Sequence, residues 1–424
     1  MPTERDADIV VVGAGLVGAA CALRLADSGR SVLLLDAQPA GRGASFGNAG
    51  HVATEQLFPL ASAAVIRASW RYLLDADSPL RVRAAYLLPI LPWLARFVWA
   101  ARPAAYARGV AALVSLQRSS RVDLRDLLVH AGIAPLLHLD GYFRAYESAL
   151  GERTALSQAA ELAPFGIRTE RVSGGDLHIQ MPALSPAIAG AVLYPDTGHV
   201  EDPYAVCVGL VAALLRKGGE FRQQRVLRLA QQRDGPVTLT LDQGAALRCK
   251  TLVLCAGAWS RPLAASLGYR VPLDTERGYH ITVPRSHASD DALPPPIRVP
   301  IASTERKVIM TPMAVGLRMT GTVEFGGLHL PPDPHRFALL RAQMKAMLPA
   351  VDVSQASEWM GFRPSLPDHL PVLGAAPRHR GVYFAFGHQH LGLALCGVTA
   401  RLVADLVQGR KPDVAMEPFR VDRF

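Results

Sequence analysis

The chain of 424 residues is half hydrophobic and 19% charged, so it buries a large core and folds as about two domains. Its net charge of +9 rests on scattered arginines, with five lysines among 45 basic residues and no dense basic stripe interleaved with aromatics, which excludes nucleic acid as the partner. Five cysteines without CxxC spacing read as buried, reduced thiols of a cytoplasmic protein; no run reaches the roughly 18 uninterrupted apolar residues of a spanning helix, and no secretory signal is visible.

The segment "DIVVVGAGLVGAACALRLADSGRSVLLLD" carries the strongest local signal. Ile9 to Val12 reads as a buried parallel strand, a helix from Leu16 to about Ser28 stops at Gly29, and a second strand from Val32 closes on Asp36. Gly13, Gly15 and Gly18 stand between strand and helix in GxGxxG spacing. The first permits the tight turn, the second lets the backbone approach a pyrophosphate, and the third lets the helix lie close to the strand. The helix start, at Leu16 and Val17, offers unpaired N–H groups and a positive dipole end to phosphates. Asp36, followed by Ala37, accepts hydrogen bonds from a ribose diol. Strand, turn, helix and acid together mark a dinucleotide site, without separating FAD from NAD.

The next stretch, "AGRGASFGNAGHV", is small and polar enough to lie flat against a large planar ligand. Gly43, Ala44 and Ala49 belong to this small-residue run, Gly47 and Gly50 remove steric obstacles, and Ser45 and Asn48 supply donors. Ser78 to Val110 is apolar, with Pro89 and Pro92, and is expected as short helical pieces, either interfacial or packed within a second domain. A longer amphipathic helix is expected from Ala111 to about Leu128, another from Asp202–Pro203 to Gly218, and a strand from Glu220 to Gln224.

In "KTLVLCAGAWS" the strand Thr251 to Cys255 runs into Ala256, Gly257 and Ala258, with Trp259 beside them, so a ligand can pass its carboxyl end. "ERGYHITV" reads as a strand on which period-2 alternation lets one of Tyr279 and His280 face a pocket; Tyr279 is expected to. Ser286 to Pro300 reads as a loop. Arg363, within "SEWMGFRPSLPDHLPVLG", stands in an apolar run where a charge needs a partner. That partner is a ligand carboxylate gripped by the planar guanidinium fork, or a protein acid such as Asp368 or Glu358. At the end, strand Val382–Phe386, a turn to Gly392 and a helix to about Gln408 aim the helix start at Leu391–Gly392 toward an anion. His388 and His390 flank that turn; like His51, each is expected either to touch the ligands or to be a satisfied structural histidine.

In their order along nearly the whole chain, "VVGAGLVGAACALRLADSGRSVLLLD", "GASFGNAGHV", "LVLCAGAWS", "GFRPSLPDHLPVLG" and "FAFGHQHLGL" resemble the FAD-dependent D-amino-acid oxidase superfamily, and within it the bacterial D-amino-acid dehydrogenases. "ERGYHITV" and "YFAFGHQHLGL" are similar to the D-hydroxyproline dehydrogenase-like branch. The resemblance implies an α/β fold, with a discontinuous Rossmann-like FAD-binding domain (1–57, 187–262 and 352–424) and an α+β substrate domain on a mainly antiparallel sheet (58–186 and 263–351). It implies that Val226 sets its backbone against adenine and that Arg363 pairs with the substrate α-carboxylate; Tyr279, His51 and His388, from their positions along the chain, are the further catalytic candidates. The implied reaction is oxidation of a free D-amino acid, D-proline or D-hydroxyproline favoured, to the imino acid by hydride transfer from Cα to flavin N5. Electrons then pass to a quinone or other carrier, with peripheral membrane contact and a homo- or hetero-oligomer in view. The rivals are a glycine- or sarcosine-type oxidase using oxygen, a flavoprotein subunit of a heteromeric complex, and a NAD module without flavin.

Overall fold

The aliphatic run Ile9–Val12 has no polar face, so it has to be covered on both sides, and it lies fully buried at the centre of a sheet. The computed structural model describes residues 7–74, 77–233, 235–285 and 297–424. Among them the strands form sheets of eight, nine and three strands. In the eight-stranded sheet, Glu220–Gln223, Val32–Asp36, Ala7–Val12, Ala246–Leu254 and Val382–Phe386 run parallel in that order. Ala246–Leu254 also takes the antiparallel strand Val237–Leu241, followed by Val226–Gln231. Helix Leu16–Ala26 packs on the last helix, Gly392–Val407, and on Pro203–Arg216, whose start is capped by Asp202 accepting from Tyr204 and Ala205 N–H. The parallel strands all end on one edge, the position at which such sheets bind ligands.

The nine-stranded sheet is mainly antiparallel and faces that edge. Its path runs Ser357–Ser365, Asp274–Pro284, Gly316–Phe325, Val308–Met313, Ile301–Ser303, Tyr142–Tyr146, Gly190–Tyr194 and Glu170–Ser173. The fold is thus the expected α/β architecture, with a Rossmann-like dinucleotide unit and a second α+β unit.

Several elements cross the expected division. Ser357–Ser365, anticipated with the FAD-binding stretches, pairs along its whole length with Asp274–Pro284 of the second sheet. Gly190–Tyr194 likewise pairs with Tyr142–Tyr146. Pro103–Ala131, expected with the substrate domain, buries Leu113, Leu116, Leu124 and Leu128 in the core of the dinucleotide unit. Its backbone at Asp123 lies so close to Gly397 that a Cβ there would stand 2.5 Å away. Each element goes where its apolar face finds cover, and chain order does not encode that.

The 78–110 region comes in pieces, with a new helix starting at Pro103, but Pro89 and Pro92 do not make the breaks. Leu87–Ala100 is one helix with Pro92 inside it, because Pro89 falls in the first turn, where its missing N–H has no helical acceptor, and Pro92 forfeits a single bond. Ile90 and Trp93 face inward, while Leu88 is 77% and Trp99 63% exposed. No single described helix is long and apolar enough to cross a membrane. Of the loop expected over Ser286–Pro300, residues 286–296 lie outside the described residues.

Candidate active site

A cavity of about 890 Å³ opens between the carboxyl edge of the first sheet and the inner face of the second. Its dinucleotide end is built from the glycine turn. Gly13 has φ +107°, and a Cβ there would run into the Cys255 carbonyl; a Cβ on Gly18 would meet the Gly13 carbonyl. Gly15 differs: its absent Cβ points toward the cavity, with Ser45 Oγ at 3.1 Å as its near neighbour. Ser45 Oγ accepts from Leu16 N at 3.0 Å and so tethers the small-residue loop to the helix start. Asp36 accepts from Ala14 N at 2.7 Å and from Gln38 N at 2.9 Å, and burial raises its pKa above the ordinary carboxylate value.

The remaining cofactor expectations divide cleanly. Leu16, Val17, Ala37, Gly43, Ala44, Asn48 and Ala49 line the cavity, as do His51, Val226, Ala256, Gly257, Trp259, His390 and Gly392. Gly18, Gly50 and Leu391 do not. Gly18 serves helix–strand packing, and Gly50 (φ +72°) makes a turn whose carbonyl accepts from Val200 N. Leu391 is buried and bonds back to the His388 carbonyl. At the other end of the cavity the helix Gly392–Val407 begins without a side-chain cap, leaving its first N–H groups toward the lining. A glycine cradle, an acid at the end of the second strand, a second helix start and a cavity of about 890 Å³ fit a dinucleotide.

The second sheet holds the loop over Ala40–Val52 in place, through Arg318 and Trp359, which the sequence did not single out, and through His280, the alternative to Tyr279. Arg318 donates from Nη1 to the Asn48 carbonyl at 2.7 Å and the Phe46 carbonyl at 3.3 Å. His280 Nδ1 bonds the Gly47 carbonyl at 3.1 Å, and its ring stacks on Trp359 with centroids 5.1 Å apart. Burial pushes His280 down to about 3, so the ring is neutral and its Nδ1 proton serves the carbonyl. Glycine at 47 and 361 leaves room for the Trp359 indole, with which a Cβ at either position would collide.

Tyr279 does not face the cavity. It is fully buried on the opposite face of its strand, its hydroxyl donating to Glu324 at 3.0 Å and accepting from Asp333 N, its ring edge-on to Phe337. Gly278 and His280 take the inner face instead. Alternation holds with the other parity, and a bulge between Gly278 and Tyr279 shifts the register against Gly316–Phe325.

Arg363 lines the cavity from the edge strand. The two acids that were candidates to neutralise it are engaged elsewhere: Asp368 with Arg423 at 2.7 Å, Glu358 with Arg341. Nη1 of Arg363 reaches only the Thr322 carbonyl, at 3.4 Å, and among the described residues it forms no ion pair. Glu276 is its cross-strand partner and the charge that acts on it. Burial lowers the Arg363 pKa, and burial likewise raises that of Glu276. Gly278 lies beneath the guanidinium; a Cβ there would sit 2.5 Å from its carbon. The arginine is thus desolvated, supported from below and short of an anion.

The histidines separate in role. His388 lines the cavity, but its Nε2 is bound to Thr399 Oγ1 at 3.0 Å and burial lowers its pKa to about 4, a structural setting. His390, also lowered to about 4 by burial and then by Arg363, lies in the lining near that cation. His51 bonds Glu55 Oε1 at 3.0 Å, with its ring 4.5 Å from that of Tyr142.

A family model described as FAD-dependent oxidoreductase matches residues 8–406. The chain belongs to this family. It is 31% identical over the full length of both chains to a D-amino-acid oxidase of Bradyrhizobium diazoefficiens. It is also 31% identical, over 98% of each chain, to a D-amino acid dehydrogenase of Paramagnetospirillum magneticum. Among solved structures, glycine oxidase from Geobacillus kaustophilus superposes with a TM-score of 0.75 at 21% identity, covering 99% of this chain and 100% of that one. L-Proline dehydrogenase from P. horikoshii gives 0.73 at 16%, covering 100% and 98%. These likenesses establish the shared fold. The cofactor of this FAD-dependent oxidoreductase is FAD, and the glycine turn, Asp36 and the Ser45 loop, which line the cavity, are the residues that would hold it.

Proposed function

We propose that the enzyme oxidises the Cα–N bond of a free D-amino acid to the imino acid. The observation that carries this reading is Arg363, a desolvated guanidinium in the cavity with no carboxylate in ion-pair contact among the described residues. A carboxylate gripped through two parallel N–H···O bonds is fixed in both position and plane, and that orientation is worth several kcal/mol of barrier. FAD, when bound, supplies the hydride acceptor. The chain's own contribution is positioning: Arg363 holds the acid group, Gly278 leaves it room, and the neutral His390 beside it adds no competing charge. The second sheet closes over the reaction and excludes water. The relatives named for D-amino acids support the D configuration. D-Proline and D-hydroxyproline carry the required carboxylate and amine, and are part of the same proposal.

Anaerobic bleaching of the flavin, screened over D- and L-amino acids, glycine and sarcosine, tests the reading. Bleaching by D-amino acids is the expected result; bleaching confined to L-amino acids, or to glycine and sarcosine, refutes it. A quinone or carrier is proposed as the acceptor, so turnover with a quinone analogue should exceed oxygen consumption.

A second reading concerns location. The exposed Leu87, Leu88, Leu91, Val98 and Trp99 of helix Leu87–Ala100, flanked by Arg96 and Arg102, suit peripheral contact with anionic lipid. Replacing Leu88 and Trp99 by Ser should release the protein from anionic vesicles, whereas Trp93, tied to the Ser365 carbonyl, is part of the core and does not serve this test.

A further inference from the structure

The far wall of the cavity carries charge that the carboxylate anchor does not use. Arg144 and Lys307 both line it, with Tyr142, Glu55 and Gln158. Arg144 donates from Nε to the Tyr142 hydroxyl at 3.3 Å and from Nη1 to Gln158, and its guanidinium carbon stands 5.6 Å from the Tyr194 ring centroid. Lys307 occupies the turn between Ile301–Ser303 and Val308–Met313 with φ +56°, a left-handed conformation costly for a lysine. Its nearest acid in sequence, Glu305, is tied to the backbone of Glu147 and Ser148 and to the Ser148 hydroxyl. Burial lowers the Lys307 pKa and Arg144 lowers it further, against a smaller opposing pull from Glu305, so the two cations feel each other. Among the described lining residues the acid of this wall is Glu55, which holds His51 through Oε1 and whose charge also acts on Arg144. Among the described residues neither Arg144 nor Lys307 has a carboxylate within ion-pair distance. Two cations against one engaged acid leave this end of the cavity in positive surplus.

The sheet register places the pair relative to the anchor. Arg144 is opposite Ala302, Ala302 opposite Ile309, and Ile309 opposite Thr320, a row that floors the cavity. The Arg363 guanidinium reaches the Thr322 carbonyl on Gly316–Phe325, three strands from Tyr142–Tyr146 in the sheet order, which at roughly 4.8 Å per strand is ~14 Å, and the Lys307 backbone lies against Gly321 between them. Ala302 and Ile309 give the row an apolar middle, with Thr320 at its end.

We propose that Arg144 and Lys307 are specificity-determining residues that bind an anionic group at the far end of the substrate side chain, so that the preferred D-amino acids are acidic, with an aliphatic spacer. This rests on the amino-acid reading above and departs from the neutral cyclic amines that the resemblance favours. Because the two cationic ends are well separated, a short diacid spans them poorly and a longer one better.

The test measures kcat/KM of the holoenzyme for D-aspartate, D-glutamate and D-2-aminoadipate beside D-asparagine, D-glutamine, D-norleucine, D-alanine and D-proline. Acidic homologues should exceed their neutral counterparts, increasingly with length. Arg144→Gln and, separately, Lys307→Gln should each lower the acidic-to-neutral ratio on the order of 10- to 100-fold, the worth of a charge-assisted hydrogen bond. A readout without turnover accompanies it: adipate should raise the melting temperature more than hexanoate does, and less so in either variant. Preference for neutral or basic side chains, or variants in which acidic and neutral substrates fall together, overturns the inference while leaving the amino-acid reading intact. Failure of every D-amino acid, D-alanine included, to reduce the flavin refutes that reading and this inference with it.

Discussion

Gly278→Ala isolates the geometry of the carboxylate anchor without touching its charge. In the present structure the added Cβ would lie 2.5 Å from both the guanidinium carbon and Nη2 of Arg363, and 2.9 Å from Nε. Ordinary contact begins near 3.4 Å, so the guanidinium must retreat by about 0.9 Å. The strand beneath has little freedom to yield instead, since Gly278 is paired on one side to Gly361 and on the other to Val323. A displacement of about 1 Å at an orienting group costs on the order of 100-fold in rate, or about 2.7 kcal/mol of barrier. The variant should therefore lose about two orders of magnitude in the rate of anaerobic flavin bleaching. It should retain the visible absorption of bound FAD, because Gly278 lies on the second sheet, away from the glycine turn. Arg363→Ala, which removes the fork entirely, should lose on the order of 10²- to 10³-fold or more, again with FAD retained. Wild-type bleaching rates in a fully loaded Gly278→Ala protein would show that Arg363 is not the orienting group.

Gly15→Val directs bulk into the space left for phosphates and should yield protein that purifies without the yellow chromophore; normal FAD content would count against the placement of the turn. Arg318→Ala releases the carbonyls of Phe46 and Asn48 and should weaken FAD binding roughly 10- to 100-fold by fluorescence titration, the scale of a charge-assisted bond; unchanged affinity would mean the loop holds itself. His388 and His390, lowered by burial to about 4 from an ordinary 6.5, bind fewer protons folded than unfolded between those values. Unfolding free energy should accordingly be full above pH 6.5 and fall by about 1.4 kcal/mol per pH unit per histidine as the pH drops toward 4. Denaturation midpoints that do not change across that window would refute it, and His388→Gln should reduce the slope by one proton.

What the sequence disclosed and what it withheld follow from how far each constraint reaches along the chain. The dinucleotide end was legible because it is local: strand, three glycines, helix and Asp36 fall within 28 residues, and the spacing itself encodes the turn. The last strand–turn–helix was legible for the same reason. Arg363 could be flagged as a charge in want of a partner, but only three-dimensional pairing shows that Arg423 and Arg341 have taken the neighbouring acids. Tyr279 was misplaced by a single residue of parity, which on a strand exchanges the two faces outright. The bulge nearby, at Thr322, belongs to the neighbouring strand and leaves the alternation along Asp274–Pro284 unbroken, so nothing local tells which parity faces the cavity. Arg318, His280 and Trp359, which hold the Ala40–Val52 loop, sit some 230 to 310 residues away from it; His280 stood only as the alternative to Tyr279, and the other two look from the sequence like ordinary strand residues. The same holds for Gly278, Arg144 and Lys307, whose meaning depends on neighbours brought together by register. Cofactor contacts of this fold are thus concentrated in short motifs, while the substrate wall is assembled from single residues on separate strands. A chain can keep the motifs and alter the wall one side chain at a time. For that reason the motifs identify the family, whereas substrate choice has to be read from the charges facing the cavity.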